Sequence, residues 1–176
     1  GKDANLEAWN NLVEEKKHLL EMDQITQEEY YDWLAKSYKG HLSDTKKYSS
    51  ELRSIEEELY NWEKEKIQSS IDDQTAILDN QRANGLISDE EYFKKLNQMY
   101  DDGYSDLQKA VSEKGLYGVD STERLQAETE FINKVKEAHT SAYDAEVKQL
   151  ERALHQKKIT EEQYLFEMTR LYKEYY

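Results

Sequence analysis

Three copies of one short pattern constrain what this chain can fold into. They are Ile25-Thr26-Gln27-Glu28-Glu29-Tyr30, Ile87-Ser88-Asp89-Glu90-Glu91-Tyr92 and Ile159-Thr160-Glu161-Glu162-Gln163-Tyr164. At equal offsets an apolar residue and a tyrosine follow each copy: Leu34 and Tyr38, Leu96 and Tyr100, Met168 and Tyr172. Ser/Thr-x-x-Glu/Gln is a capping box, in which the N-cap hydroxyl accepts the third backbone N–H and the N3 side chain accepts from the N-cap N–H. The boxes are Thr26 with Glu29, Ser88 with Glu91, and Thr160 with Gln163. The isoleucine before each cap and the tyrosine at N4 (Ile25 and Tyr30, Ile87 and Tyr92, Ile159 and Tyr164) make the hydrophobic staple that sets the entry angle of the chain. Each copy is therefore a helix start, and a repeated helix start predicts a repeated helical hairpin.

Composition agrees with a helical chain. There is no proline among 176 residues, where average usage would give roughly nine. Proline interrupts helix interiors by removing a donor and clashing with the preceding turn. Charged residues make up 35% and hydrophobic residues 37%, so the expected core is thin. We expect an all-α fold with over three quarters helix: an elongated array of antiparallel helical hairpins packed as a coiled-coil-like bundle. The spacing between copies, 25 to 87 and 87 to 159, divides the chain into a first hairpin over 1–48, a second repeat over 49–119 and a third over 120–176. Missing an initiator Met, the chain is expected to be an excerpt of a longer one.

Helix 1 is predicted from Ala4 to Glu21, with Leu6, Trp9, Val13 and Leu20 on one face. Helix 2 follows Thr26 and weakens at Gly40, with Ser43-Asp44 as a possible restart. Helix 3 carries Leu52, Ile55, Leu59, Trp62, Ile67, Ile71 and Leu78 and ends near Asn84, with Gly85 as its left-handed C-cap. From Glu51 to Asn84 it would span about 51 Å at the helical rise. Helix 4 follows Ser88 and breaks at Gly115–Val119. Asp120 and Glu123 form a further capping box that opens helix 5. There Leu125, Ile132, Val135, His139, Tyr143, Val147, Leu150 and Leu154 recur at the 3.6-residue period of an amphipathic helix. Helix 6 follows Thr160. Leu52–Ser88 lies over Arg124–Thr160 without a gap, matching Leu59 to Phe131 and Leu78 to Leu150, and the longer third repeat comes from extra residues around Gly115–Ser121.

No constellation of catalytic residues stands out. Glu15-x-x-His18 has the spacing of a di-iron ligand pair, but such a site needs two of these motifs plus two further inward glutamates, and no second Glu-x-x-His exists. Asn84–Glu91 resembles the latter half of a calcium loop; Asn80 and Arg82 at its first and third positions would abolish affinity. Paired carboxylates at Glu28/Glu29, Glu90/Glu91 and Glu161/Glu162 are adjacent residues that do not face each other, and first-turn acids suit the helix dipole. His41, His139 and His155 lie in separate segments. Tyr100, Tyr104 and Tyr117 could stack on bases, but Asp101, Asp102 and Asp106 surround them. With no cysteine and a net charge of −14, thiolate sites and phosphate-backbone binding are both disfavoured. We therefore expect no catalytic, cofactor-binding or metal-binding residues, no nucleic acid, no membrane span and no secretion by a signal of its own.

The pattern Leu78-Asp79-Asn80-Gln81-x3-Gly85-x-Ile87-Ser88-x-Glu90-Glu91-Tyr92-x3-Leu96-x3-Tyr100 resembles repeats in tail tape-measure proteins of phages and prophages of Gram-positive bacteria. The likeness covers most of the chain and is best over Leu52–Leu107. Asp23 and Lys157 stand where the glycine belongs in the other two copies, and Gln163 replaces the second glutamate. The resemblance implies a structural, non-catalytic protein that helps set tail length. It implies tail tube and tail assembly proteins as partners, and a location in the bacterial cytoplasm during assembly and then in the virion tail. The residues alone also allow a bacterial coiled-coil adaptor that presents helix faces to a partner. Thin, Tyr-rich seams on long helices further predict a weak homo-oligomer; Leu116, Tyr117 and Val119 are candidate contacts for it, unless that segment folds back onto the bundle.

Overall fold

Helix starts and stops written in local chemistry divide the chain. The computed structural model describes residues 3–116 and 122–176. Among them six helices occur and no strand: α1 (Ala4–Glu21), α2 (Gln27–His41), α3 (Ser49–Ala83), α4 (Asp89–Lys114), α5 (Thr122–His155) and α6 (Glu161–Tyr175). The fold is all-α and 85% helical. Three tight turns, α1–α2, α3–α4 and α5–α6, join the helices into hairpins. Asp120, on which the expected capping box with Glu123 depends, and the break residues Tyr117 and Val119 lie outside the described residues.

Two junctions refine the sequence reading. Gly40 does not weaken α2, which continues to His41 and ends at the Leu42 C-cap. Asp44 then restarts the chain: its carboxylate accepts from the Lys47 N–H at 3.0 Å, and α3 begins at Ser49. At the other end Asp3 caps α1, accepting from the N–H groups of Asn5 (3.0 Å) and Leu6 (3.2 Å). Hydrogen bonding from the Leu6 N–H is the main reason its carboxyl is held below the ordinary aspartate range. The Tyr48 hydroxyl and Lys47 also reach Asp3, at 3.0 and 3.2 Å.

The residues divide into two compact units, 1–66 with 109–124 and 67–108 with 125–176. The core of the first is aromatic and leucine-rich. Trp9, Tyr30, Leu34, Tyr38, Leu42, Tyr48, Leu59, Tyr60 and Leu116 are all buried. Trp9 of α1 stacks on Trp33 of α2 at 5.4 Å, and Tyr31 of α2 stacks on Trp62 of α3 at 4.5 Å. Glu63 of α3 is also buried, 5% exposed, where it pairs with Lys114 of α4 and with Lys66 at 3.5 Å. Leu116 is fully buried, so for this residue the segment after α4 folds back rather than offering a contact.

The second unit buries Ile71, Leu78, Tyr92, Leu107, Phe131, Ala138, Ala142, Ala145 and Leu171. Here the expected α5 face needs correction. Phe131, Ala138, Ala142 and Ala145 are its deepest residues, whereas Leu125 is 55% exposed and Ile132, Val135, Tyr143, Val147 and Leu150 are half-buried flanks. Small side chains let helix backbones approach closely and so occupy the innermost line, while the larger residues flank it. Gly103 of α4 makes a similar approach. A Cβ there would lie 2.9 Å from Ile71 Cδ1, 3.0 Å from Ile67 Cγ2 and 3.4 Å from Phe131 Cζ.

Candidate functional surfaces

The three hairpin turns have the same backbone. At the end of each first helix one residue enters the left-handed region: Asp23 (φ 55°), Gly85 (φ 69°) and Lys157 (φ 58°). Their N–H groups donate to the carbonyls of Leu20, Arg82 and Leu154 at 3.1, 3.1 and 3.0 Å. The following N–H groups, of Gln24, Leu86 and Lys158, donate to Leu19, Gln81 and Ala153 at 2.9 Å in each case. This double bond pattern is the Schellman motif, which satisfies carbonyls that the ending helix leaves open. Asp23 and Lys157, which depart from the glycine pattern in sequence, do not depart from it in conformation.

Two residues after each left-handed residue comes the isoleucine, and then the cap. Thr26 Oγ1 accepts from the Glu29 N–H at 3.1 Å while the Thr26 N–H donates to Glu29 Oε1 at 3.2 Å. Thr160 does the same with Gln163, at 3.1 and 2.9 Å. An amide oxygen accepts as a carboxylate oxygen does, so the exchange of Glu for Gln leaves the box intact. In the middle copy Ser88 Oγ accepts from the Glu91 N–H at 3.1 Å. Ile25, Ile87 and Ile159 are half-buried; Tyr30 and Tyr92 are buried and Tyr164 is half-buried. The tyrosine and the ring after it form the same edge-on pair twice, Tyr30–Tyr31 at 81° and Tyr92–Phe93 at 80°, both 5.0 Å apart.

The tyrosine hydroxyls differ more than the rings. Tyr92 donates to Asp79 at 2.6 Å, and the Arg82 guanidinium lies over its ring at 4.6 Å while donating to Asp89. Tyr38 donates to Glu56 at 3.3 Å. The Tyr30 hydroxyl is buried without a hydrogen-bond partner. Burial first, and then the nearby Glu58 and Glu56 carboxylates, push the Tyr30 and Tyr38 phenols far above the ordinary tyrosine range. Tyr175 is raised in the same way by burial and by Glu146.

Other residues weighed for chemistry have structural surroundings. Glu15 and His18 are both exposed on α1, and among the described residues no group of three or more His, Asp or Glu could hold a metal ion. Glu29 closes a cap, and Glu90 pairs with Arg152. His41 lies against Trp9 at 5.2 Å, and His139 Nε2 bonds the Tyr175 carbonyl at 2.7 Å. Tyr100 and Tyr104 both pack on Phe131, with ring centroids 6.2 Å apart; Tyr117 is outside the described residues. Among them no helix is long and apolar enough to cross a membrane.

The described residues also line shallow grooves of about 300 to 340 Å³. One lies along the α4–α5 seam and is lined by charges of both signs, with Arg82–Asp89 and Arg152–Glu90 already paired inside it. Another is apolar, with Ile77, Leu78 and Met99 at its floor and rim. A third runs beside Trp9 and Tyr30, with Glu51 and Glu58 above. Among the described residues, exposed apolar side chains are most concentrated on α6: Leu165 (64%), Phe166 (69%), Tyr172 (59%) and, just past its end, Tyr176 (63%). No family model, no curated protein and no solved structure matches the chain.

Proposed function

We propose that this chain is a structural, non-catalytic helical repeat segment of the tail tape-measure type. The observation that carries the reading is the recurrence of one turn, left-handed residue–x–Ile–N-cap, at three places in one chain with the same hydrogen bonds. The turn is held even where glycine has been replaced, so the hairpin is the unit that the sequence preserves. A helix has a length proportional to its residue number at fixed rise, which is the physical requirement of a ruler. The carboxylates and hydroxyls of the repeated motif act as caps and ion-pair partners, which fits a scaffold. On this reading the partners are tail tube and tail assembly proteins, and the segment resides in the bacterial cytoplasm during assembly and afterwards in the virion tail.

In-frame removal of residues 89–160 from the parent gene tests this directly. It joins Ser88 to Glu161, so a cap still leads into a helix. Tails measured by electron microscopy should shorten by up to about 100 Å, the length of one 72-residue repeat as extended helix. Assembled virions with tails of unchanged length would overturn the reading. The exposed α6 face favours one second reading, a bacterial coiled-coil adaptor. Genes for tail tube, baseplate and lysis proteins beside this one support the first reading; their absence supports the adaptor.

A further inference from the structure

Glu51, Ile55 and Glu58 follow one another at helical spacing on α3 and share one face. They form one wall of the groove of about 340 Å³ that α1 and α2 close with Trp9, Val13 and Tyr30. All six residues belong to the first unit. Trp9, Tyr30 and Ile55 are buried and give the groove an apolar floor, while the two glutamates are half-buried above it. The negative charge there is not compensated. Along other seams Glu63, Glu90 and Glu146 each meet a lysine or an arginine. Among the described residues no basic side chain lines this groove or pairs with Glu51 or Glu58, and Glu58 interacts with the neutral Tyr31 phenol. In the same groove the Tyr30 hydroxyl is buried without a hydrogen-bond partner, on a residue only 1% exposed. Glu58 is the carboxylate that acts on this phenol, so the hydroxyl faces the α3 wall. A buried hydroxyl without a partner is costly, and a donor arriving between it and Glu58 would satisfy both.

We propose that this groove is a binding site for a linear aliphatic diamine or polyamine. An ammonium group has three donors and no acceptor. At one end of the ligand it would donate to Glu58 and to the Tyr30 oxygen, and at the other end to Glu51. The two glutamates are seven residues apart, about 10.5 Å along the helix. Charge-assisted bonds of ~2.8 Å at each end leave a span that about four or five methylenes fill. Those methylenes would lie over Ile55, Val13 and Trp9, which explains why the floor between the acids is apolar. A single metal ion does not suit the site, because it needs several oxygens within ~2.6 Å and these carboxylates stand two turns apart. A guanidinium is one compact planar group and would meet one glutamate only.

Isothermal titration of the 176-residue chain with 1,5-diaminopentane tests the proposal. The parent should bind one equivalent saturably. Glu51→Gln/Glu58→Gln should weaken binding at least about tenfold, and Tyr30→Phe about threefold through the lost acceptor. Glu161→Gln/Glu162→Gln, which removes the same charge from α6, should change it by less than about twofold. Pentylamine, with one ammonium, and 1,2-diaminoethane, with too short a span, should each bind at least about tenfold more weakly than 1,5-diaminopentane. In NMR spectra of the parent, the Trp9 indole N–H and the amides of residues 54–58 should move as the diamine is added. That map uses no variant, so it stands even if a substitution lowers helix content. Absence of saturable binding overturns the proposal, as does pentylamine binding as tightly as the diamine. Equal weakening by the α6 pair, or shifts spread evenly over the acidic surface, also overturns it, since either means general attraction of cations to a chain of net charge −14.

Discussion

Lys157 is held at φ 58° where the middle copy has Gly85 at 69°. For a residue with a Cβ the left-handed region costs about 1–2 kcal/mol, less for Asp and Asn, whose short polar side chains bond locally. Lys157→Gly should therefore stabilise the chain by about 0.5–1 kcal/mol, the conformational gain being partly offset by a looser unfolded state. Asp23→Gly should gain less. Gly85→Ala should cost about 1 kcal/mol through the backbone alone, since a Cβ there meets nothing within 4 Å. Urea melts of the three variants check the order. Tyr30 gives a second test at this scale. Its hydroxyl is buried and unpartnered, so Tyr30→Phe should be neutral or stabilising by up to about 1 kcal/mol. Tyr92→Phe, losing a 2.6 Å bond to Asp79, should destabilise by about 1 kcal/mol. Equal melts for the two would refute the distinction. The caps were legible in sequence because both partners of each bond lie within four residues. The fate of a hydroxyl was not, because Asp79 and Glu56 come from other helices.

Among the helices, the deciding contacts are those a sequence pattern of large apolar residues does not show. The α1 boundaries and the starts of α2, α4 and α6 follow from cap and periodicity, and Ser88→Ala should cost about 1 kcal/mol in a thermal melt. The inner line of α5, by contrast, is Ala138, Ala142 and Ala145, which a search weighted to bulk passes over. Gly103 looks like a weak point of α4 until Ile67, Ile71 and Phe131 close on it. Two glycines inside helices thus give opposite expectations. Gly40→Ala, with open space around it, should stabilise by about 0.5–1 kcal/mol; Gly103→Ala should lose that gain to the clash and fall at or below the parent. If Gly103→Ala melts as high as Gly40→Ala, the close approach is not real. The Glu63–Lys114 pair joins α3 to α4 from 51 residues away, a distance at which local sequence carries no signal. Lys114→Met takes a partner from the buried Glu63 carboxylate, leaving it Lys66 at 3.5 Å, and should cost about 2 kcal/mol, while Glu63→Leu/Lys114→Met should return to within about 1 kcal/mol of the parent. A double variant no better than Lys114→Met would show that the pair does more than neutralise burial.

At the scale of the whole molecule, an acidic chain with 14 tyrosines should be vulnerable to base in a particular way. Tyr30, Tyr38 and Tyr175 have phenols raised well above 10.0, the ordinary value, by burial and neighbouring glutamates. Below pH about 10 these phenols are protonated in both the folded and unfolded chains, and their stabilising contribution is complete. Above it the unfolded chain releases protons that the folded chain retains. Since the folded state then binds more protons, stability falls as pH rises, by up to about 1.4 kcal/mol per pH unit for each fully buried phenol. Tyr30 and Tyr38 lie in the first unit and the half-buried Tyr175 in the second. Helix content followed at 222 nm should stay level to about pH 10 and then drop cooperatively, with the phenolate absorbance of the buried tyrosines appearing only as the helix is lost. Tyr30→Phe should shift that transition upward, because the phenylalanine has no proton to release and the ring packing is kept. A smooth phenolate titration centred near the ordinary tyrosine value, with the helix signal unchanged, would mean that these hydroxyls are open to water and that the seams around α2 and α3 are looser than their burial implies.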